Sequence, residues 1–291
     1  MSGAFNDGAV DAPRLRFDLN SATLAGLPPT SIAPAGSWSE IYAGVRGAGY
    51  EGLQHGSPVR RALEAGLRMS GMGRVDRPED AEAVIAGQKL WADVTTLHVG
   101  SGLESDREMD ALIGAVLDAA ARHAHPTLVE IHRATVTQDM RRTLDLVERF
   151  PELRFNADLQ HWYTGQEMTY GDFEAKLERL ASVFARVRFF HGRIGDSCNS
   201  QVPAGESECV NHYRQMWTRC FRGFLADAAP GDVVIFAPEL LANRLVHEGR
   251  VYRLNYARLL PDGSEETDRW AEALRLCAIA RECFEAAGGR S

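Results

Sequence analysis

Four side chains able to bind a metal ion follow four apolar runs in the second half of the chain. They are Glu130 after TLV, Asp158 after FNA, His191 after FF and Glu239 after FAP. Three carboxylates that meet without a partner repel one another and raise each other's pKa values. A divalent cation removes that conflict, and three oxygen ligands with one imidazole suit Mn²⁺, Co²⁺, Mg²⁺ or Fe²⁺. We therefore predict one divalent metal ion as the cofactor.

These four residues must come from different structural units, because 28, 33 and 48 residues separate them. Along the whole chain, eight short apolar runs alternate with eight amphipathic stretches. The predicted strands are residues 15–20, 52–54, 67–70, 95–99, 127–131, 154–158, 187–191 and 233–237. The predicted helices are residues 37–48, 59–65, 78–91, 107–123, 138–149, 171–185, 206–228 and 267–287. Such alternation indicates a parallel sheet with helices between its strands.

Eight strand–helix units of roughly 34 residues each predict closure of the sheet into a (β/α)8 TIM barrel. The four metal-binding candidates then lie at the ends of the fifth to eighth strands. These ends meet on the face where the active sites of such barrels are built. After the first predicted strand the chain reads SATLAGLPPT. Because no G-x-G-x-x-G motif stands there, we expect no nucleotide cofactor.

The sequence predicts a short N-terminal segment and one large domain. Residues 1–13 are small and polar and are predicted to form a flexible N-terminal segment, followed by one barrel domain over residues 14–291. Two connections, residues 192–205 and 240–266, are long. Connections above about 12–15 residues in a compact domain usually bind ligands or act as lids. We expect both to cover the site, and their arginines would favour an anionic substrate.

Composition excludes several other functions. Lys and Arg number 32 against 40 Asp and Glu, a net charge of −8, so we expect no nucleic-acid partner. No long apolar run or signal-peptide pattern is present, which predicts a cytoplasmic protein without membrane contact. The two lysines, Lys89 and Lys176, lie in helix-like segments, so Schiff-base chemistry is not expected. Five cysteines without a CxxC pair argue against disulfides and a cysteine-bound zinc. Formation of a homo-oligomer is left open.

Three segments of the chain resemble a known family. They are VEIHRATVTQD (129–139), FNADLQHW (155–162) and FFHGRIG (189–195), and the resemblance extends from GYEGLQ (49–54) to APEL (237–240). The chain resembles the xylose isomerase-like TIM barrels, in particular the sugar phosphate isomerase/epimerase branch typified by ketose 3-epimerases. In that branch a Glu, an Asp, a His and a Glu on strands five to eight bind one divalent metal. The resemblance thus implies the four residues named above as ligands.

The resemblance also implies roles in catalysis and substrate binding. Glu130 and Glu239 would approach the substrate from opposite faces, one removing the proton beside the carbonyl and the other returning it. His161 and Arg193 would contact the substrate. The implied reaction is isomerisation or epimerisation of a sugar or polyhydroxylated keto compound through a metal-stabilised enediolate.

Three further residues are expected to contact the substrate. His132 and Arg133 follow the fifth strand and can clamp an acidic or polyhydroxylated ligand, although Arg133 could equally form a salt bridge at the rim. Trp162, next to His161, is expected to form an apolar wall against a sugar face. The predicted partner is therefore a small polyhydroxylated molecule, anionic if the loop arginines bind it.

Other functions remain open on the same ligand set. The metal shell could expel a β-hydroxyl, as in related dehydratases, or bind Fe²⁺ as a non-heme iron enzyme. The DNA-repair branch of these barrels binds three zinc ions and needs an Asp-x-His pair, whereas Asp196 is followed here by Ser197 and Cys198. His55 and His98, at the second and fourth strand ends, match part of that zinc cluster. A barrel that binds a polyol without catalysis is the remaining alternative.

Overall fold

The strands pair in the order that the alternating pattern predicts. The computed structural model describes residues 5–247, 249–254 and 256–290. Within these residues, eight parallel strands close into a ring with helices between them, which confirms the single-domain (β/α)8 TIM barrel. The ring closes where the eighth barrel strand pairs with the first, with Phe17 opposite Phe236.

The barrel strands match the eight predicted ones. A short strand, β1 (Phe5–Asn6), precedes them and pairs antiparallel with the last barrel strand. The barrel strands are β2 (Arg14–Asn20), β3 (Gly52–Gln54), β4 (Arg68–Val75), β5 (Val94–Val99), β6 (Thr127–Glu130), β7 (Phe155–Ala157), β8 (Val187–Gly192) and β9 (Asp232–Pro238). β4 runs to Val75 although GMGRV contains two glycines, because pairing with β5 overrides the weak local preference of glycine for strands.

A hairpin stands inside the second long connection, which the sequence analysis treated as a loop. Its strands are β10 (Arg244–His247) and β11 (Arg250–Arg253), and among the described residues they pair only with each other. β11 is exposed along its length. The hairpin therefore lacks the buried apolar run by which the barrel strands were recognised.

Ten α-helices lie within the described ranges, and most coincide with the predicted amphipathic stretches. They are α1 (Trp38–Gly47), α2 (Val59–Glu64), α3 (Ala81–Lys89), α4 (Asp106–His123), α5 (Met140–Arg149), α6 (Gln160–Gly165), α7 (Phe173–Arg179), α8 (Ala181–Phe184), α9 (Glu208–Asp227) and α10 (Arg269–Ala286). Ser37 begins α1 with a capping box to Glu40. The predicted helix 171–185 is divided into α7 and α8, and α6 directly after β7 was not predicted.

Successive side chains of β9 belong to two different apolar clusters. Val234 and Phe236 belong to the large cluster that includes the apolar faces of the helices. Val233, Ile235 and Ala237 face the other way, into a small cluster inside the barrel, because successive strand residues point to opposite faces. The other buried members of this interior cluster are Val94, Leu128 and Phe189.

None of the helices in the part of the chain that the structure describes is long and apolar enough to cross a membrane. The cytoplasmic location and the division at residue 13 stay predictions. Beyond its first four residues, the N-terminal segment carries β1, and Asp7 forms an ion pair with Arg14 at 2.9 Å.

Two helical glycines give opposite predictions for stability. A Cβ on Gly223 in α9 would lie 2.4 Å from the Ala185 Cα, next to β8, whereas one on Gly114 in α4 meets no atom within 4 Å from elsewhere in the described chain. We expect Gly223→Ala to lower the free energy of unfolding by about 1–3 kcal/mol through overpacking. Gly114→Ala, the matched control, should raise it by about 0.4–1 kcal/mol. Urea unfolding measures both, and equal effects would contradict the packing of α9 on the C-terminal end of α8 at Ala185.

Candidate functional site

Strand alternation aims three of the predicted site residues into the barrel. Glu130, His191 and Glu239 each lie two residues beyond a member of the interior cluster on the same chain segment. They therefore continue its inward-facing row at the carboxyl ends of β6, β8 and β9. Asp158 directly follows β7, and its side chain is completely buried.

The structure brings the four predicted metal ligands together. The Nδ1 atom of His191 lies 3.4 Å from Glu130 Oε1, 3.6 Å from Glu239 Oε2 and 4.0 Å from Asp158 Oδ2. The ligand atoms of Glu130, Asp158 and His191 all lie within 4.8 Å of one another. Four separate strand ends thus converge on one point.

The donor set fits a divalent cation. Within the described residues, neither His191 Nδ1 nor Asp158 Oδ1 has a hydrogen-bond partner, and both atoms are buried. Buried polar atoms without a partner are rare, because each costs about 1–3 kcal/mol of desolvation. A cation held by His191, Asp158, Glu130 and Glu239 would supply the missing partner to both atoms.

Amides from the first two barrel strands hold these ligands in place. Gln54 Oε1 lies 2.7 Å from His191 Nε2 and also accepts a hydrogen bond from Asn20 Nδ2 at 2.9 Å. Asn20 Nδ2 donates in addition to Glu239 Oε1 at 3.0 Å. With its Nε2 proton directed to Gln54, His191 turns Nδ1 to the carboxylates. Asn20 and Gln54 end β2 and β3, and their position at strand ends was the signal that sequence analysis left unused.

Charge keeps Glu130 ionised. Burial alone would raise the pKa of Glu130, but the charge of His191 and a hydrogen bond with His98 hold it well below its ordinary value. Burial lowers the pKa of His191, yet the charges of Glu130 and Glu239 outweigh burial and raise it to about 9. Without a cation, the imidazole is therefore the positive partner of these carboxylates at neutral pH, and it must lose its Nδ1 proton when a cation binds.

Arg193 supplies a second positive charge, which the sequence analysis did not foresee. Its guanidinium contacts Asp158 and lies 3.4 Å from Glu239 Oε2. Although burial would raise the pKa of Asp158, the charges of Arg193 and His161 hold it below its ordinary value. Arg193 therefore balances part of the carboxylate charge that the sequence analysis assigned to a divalent cation alone.

A cavity of about 680 Å³ opens above the convergence point. Ligand sites typically measure about 300–1,000 Å³, so the cavity is large enough for a small molecule. Its lining includes Glu130, Glu239, His132, His161, Arg193 and Tyr256. The structure thus brings three of the five predicted substrate-contacting residues to the same space as the candidate ligands.

The other two predicted substrate contacts lie elsewhere. The Arg133 guanidinium carbon lies 5.9 Å from the centre of the Tyr256 ring, beside the cavity. Trp162 is buried in the apolar core, and its indole N–H donates to the Thr137 carbonyl at 2.8 Å. Trp162 is therefore not a wall of the cavity, because neighbouring residues of α6 point about 100° apart and His161 takes the inward direction.

The two long connections meet at the cavity. The Gln201 backbone N–H donates to the Tyr256 carbonyl at 2.8 Å, and Gln201 Oε1 accepts from the Leu241 N–H at 2.6 Å. The Tyr256 ring lies 5.8 Å from the guanidinium carbon of Arg193. Among the arginines of these connections, Arg193 lines the cavity, whereas Arg258 pairs with Glu266 outside it.

Comparison with known proteins supports the fold. No protein-family model matches the chain, and no curated protein matches it significantly. An L-ribulose 3-epimerase structure is 14% identical, with 94% of this chain and 96% of that chain covered and a TM-score of 0.56. A xylose isomerase domain protein from Planctomyces limnophilus is 15% identical, with 95% of this chain and 97% of that chain covered and a TM-score of 0.50. The probable 3-DHS dehydratase AsbF from Bacillus anthracis is 14% identical, with 78% of this chain and 93% of that chain covered and a TM-score of 0.50.

Replacement of Arg193 tests whether its guanidinium competes with a cation. Arg193→Met leaves Asp158 and Glu239 without this partner, which should destabilise the metal-free protein by about 3–5 kcal/mol. We expect Mn²⁺ to raise the melting temperature more in this variant than in the wild type, because no guanidinium opposes binding. Thermal melting with EDTA and with increasing Mn²⁺ measures both effects.

The matched control is Arg188→Met. Arg188 is equally buried on β8 and pairs with Asp227 at 2.9 Å, away from the cavity. Its replacement should destabilise the protein without changing the Mn²⁺-dependent rise. Equal metal-dependent rises in wild type and Arg193→Met would contradict the proposed competition.

Proposed function

Because the chain has the fold of the xylose isomerase-like barrels, we propose that it is a divalent-metal-dependent isomerase or epimerase of a sugar or polyhydroxylated keto compound. The observation that carries the proposal is the convergence of Glu130, Asp158, His191 and Glu239 at the floor of the cavity. Two glutamates near the His191 imidazole can supply one base for each face of a substrate, which suits removal of a proton and its return from the opposite face.

The two glutamates carry the proton transfer. When bound, a divalent cation supplies Lewis-acid polarisation of the substrate carbonyl. Glu130 and Glu239 come from β6 and from the end of β9, which lie on either side of β8 in the sheet, and their carboxylate oxygens lie 3.4 Å and 3.6 Å from His191 Nδ1. One carboxylate takes the proton from the carbon beside the carbonyl, and the other returns a proton from the opposite face. Asn20 and Asn156 hold the two side chains by donating to Glu239 Oε1 and Glu130 Oε2.

The remaining lining residues bind and orient the substrate. Arg193 Nε and Nη1 are buried and have no hydrogen-bond partner within the residues described, so both can donate to substrate oxygens. His161 Nδ1 is likewise unpartnered and buried. Tyr256, packed over Arg193, encloses the substrate from the side of the second long connection and excludes water.

An L-ribulose 3-epimerase and the probable 3-DHS dehydratase AsbF have similar folds. In general, epimerisation beside a carbonyl and loss of a β-hydroxyl can both begin when a base removes the proton beside that carbonyl. The presence of two carboxylates, Glu130 and Glu239, within 3.6 Å of His191 Nδ1 favours return of the proton, and therefore epimerisation. Dehydration and an oxidative reaction with iron are outcomes of the test below.

Deuterium exchange tests the reaction directly. We expect the Mn²⁺-loaded protein in D₂O to place deuterium on the reacting carbon of a ketose or cyclic polyol ketone, detected by NMR across a panel of such compounds. Glu130→Gln and Glu239→Gln should each lower turnover about 10²–10⁴-fold, because each removes one proton-transfer group. Glu178→Gln, which alters an exposed ion pair with Arg219, is the control and should keep full activity.

Each alternative gives a different signal. Dehydration produces an enone that absorbs in the ultraviolet, and an oxidative reaction requires O₂. Absence of exchange with every compound, together with no affinity for Mn²⁺ or Co²⁺, would rule out the proposed function. Activity of the glutamate variants above about a tenth of wild type would contradict their assignment as acid and base.

A further inference from the structure

Three side chains on one wall of the cavity form a second group of metal-ligand atoms. Those of His98, Glu130 and His132 all lie within 4.8 Å of one another. We propose that His98, His132 and Glu130 hold a second divalent cation, which shares Glu130 with the metal centre described above. Two imidazoles and one carboxylate with open positions form a donor set for Zn²⁺, Co²⁺ or Fe²⁺.

The fold directs these side chains to the cavity. His98 in β5 lies four residues beyond Val94 of the interior cluster, so its side chain points into the barrel. Its Nε2 atom lies 3.0 Å from Glu130 Oε1. The His132 ring lies 4.2 Å from the His98 ring, centre to centre. Both imidazoles are only half-buried and line the cavity, so a cation can reach them from solvent.

The backbone around His132 orients its ring. Its Nδ1 atom contacts the Arg133 carbonyl oxygen, which leaves Nε2 with a free lone pair. The His132 backbone N–H donates to Thr137 Oγ1 at 3.1 Å, and its carbonyl accepts from Thr135 Oγ1 at 2.6 Å. Imidazoles that bind metals usually direct their other nitrogen to a carbonyl or carboxylate, as His132 does.

Glu130 connects the two ligand groups. Its Oε1 atom lies 3.0 Å from His98 Nε2 and 3.4 Å from His191 Nδ1, between nitrogen atoms of both sites. Two-metal centres commonly hold their ions about 3.5–4 Å apart. A pair of cations at this distance would bind neighbouring oxygens of a polyhydroxylated substrate. That consequence rests on the proposed function, whereas the second site itself does not.

Metal stoichiometry tests the second site without reference to activity. The protein is stripped with EDTA, titrated with Co²⁺ in a calorimeter, and its bound metal is measured by mass spectrometry. We expect about two ions per chain for a two-metal centre in the wild type. His132→Ala and His98→Ala should each reduce this to about one, and Asp158→Asn should also leave about one.

The combination of variants shows which site is lost. In Asp158→Asn, the remaining ion should depend on the two histidines, so that adding His132→Ala abolishes tight binding. His123→Ala is the matched control, because His123 pairs with Glu82 away from the cavity and its loss should leave both ions. Circular dichroism and urea unfolding identify any variant that fails to fold, and His98→Ala and His132→Ala serve as replacements for each other.

Two results would overturn the inference. One is a wild-type chain that binds a single Co²⁺ ion at saturation; the other is a second ion that persists in both histidine variants. In either case His98 serves only to hold Glu130. A single ion together with deuterium exchange rejects the second site and keeps the proposed function. Binding of two ions, one of which depends on the histidines, without deuterium exchange keeps the second site and rejects the proposed function.

Discussion

The constraint on which the site depends is the burial of three carboxylates at one end of an apolar barrel. Each buried charge needs a partner, because an isolated one costs several kcal/mol of desolvation. His191 and Arg193 supply positive charge, while Asn20 and Asn156 supply hydrogen bonds. The polar layer at the barrel mouth is a balance between repulsion among the carboxylates and attraction to these partners, and the remaining unpartnered atoms are where a cation fits.

The barrel holds this layer together because its strands cannot separate independently. Each inward-facing row begins with apolar side chains such as Leu128, Phe189 and Ala237, which pack inside the barrel. Two residues further along the chain, on the same inward-facing side, each row presents an ionisable group: Glu130, His191 or Glu239. The free energy gained by burying the apolar rows thus stabilises an arrangement of like charges that the mouth would not adopt by itself.

Access to the charged layer is set by two connections outside the barrel. Gln201 joins them through Tyr256 and Leu241, so the tyrosine over Arg193 is held by a backbone hydrogen bond from the opposite connection. These hydrogen bonds hold the two connections together where Leu241 and Tyr256 line the cavity. The same arrangement places the Tyr256 ring centre 5.8 Å from the guanidinium carbon of Arg193.

The sequence by itself determined the eightfold alternation and the four candidate ligands, because both depend on local patterns: apolar runs at regular intervals, and ionisable residues at their ends. Only the tertiary structure decided the rest. Asn20 contacts Glu239, 219 residues away, because closure of the barrel sets β2 beside β9. The charge balance by Arg193 and the burial of Trp162 depend on the directions in which side chains leave β8 and α6. Those directions follow from packing between elements distant in sequence, which no local pattern records.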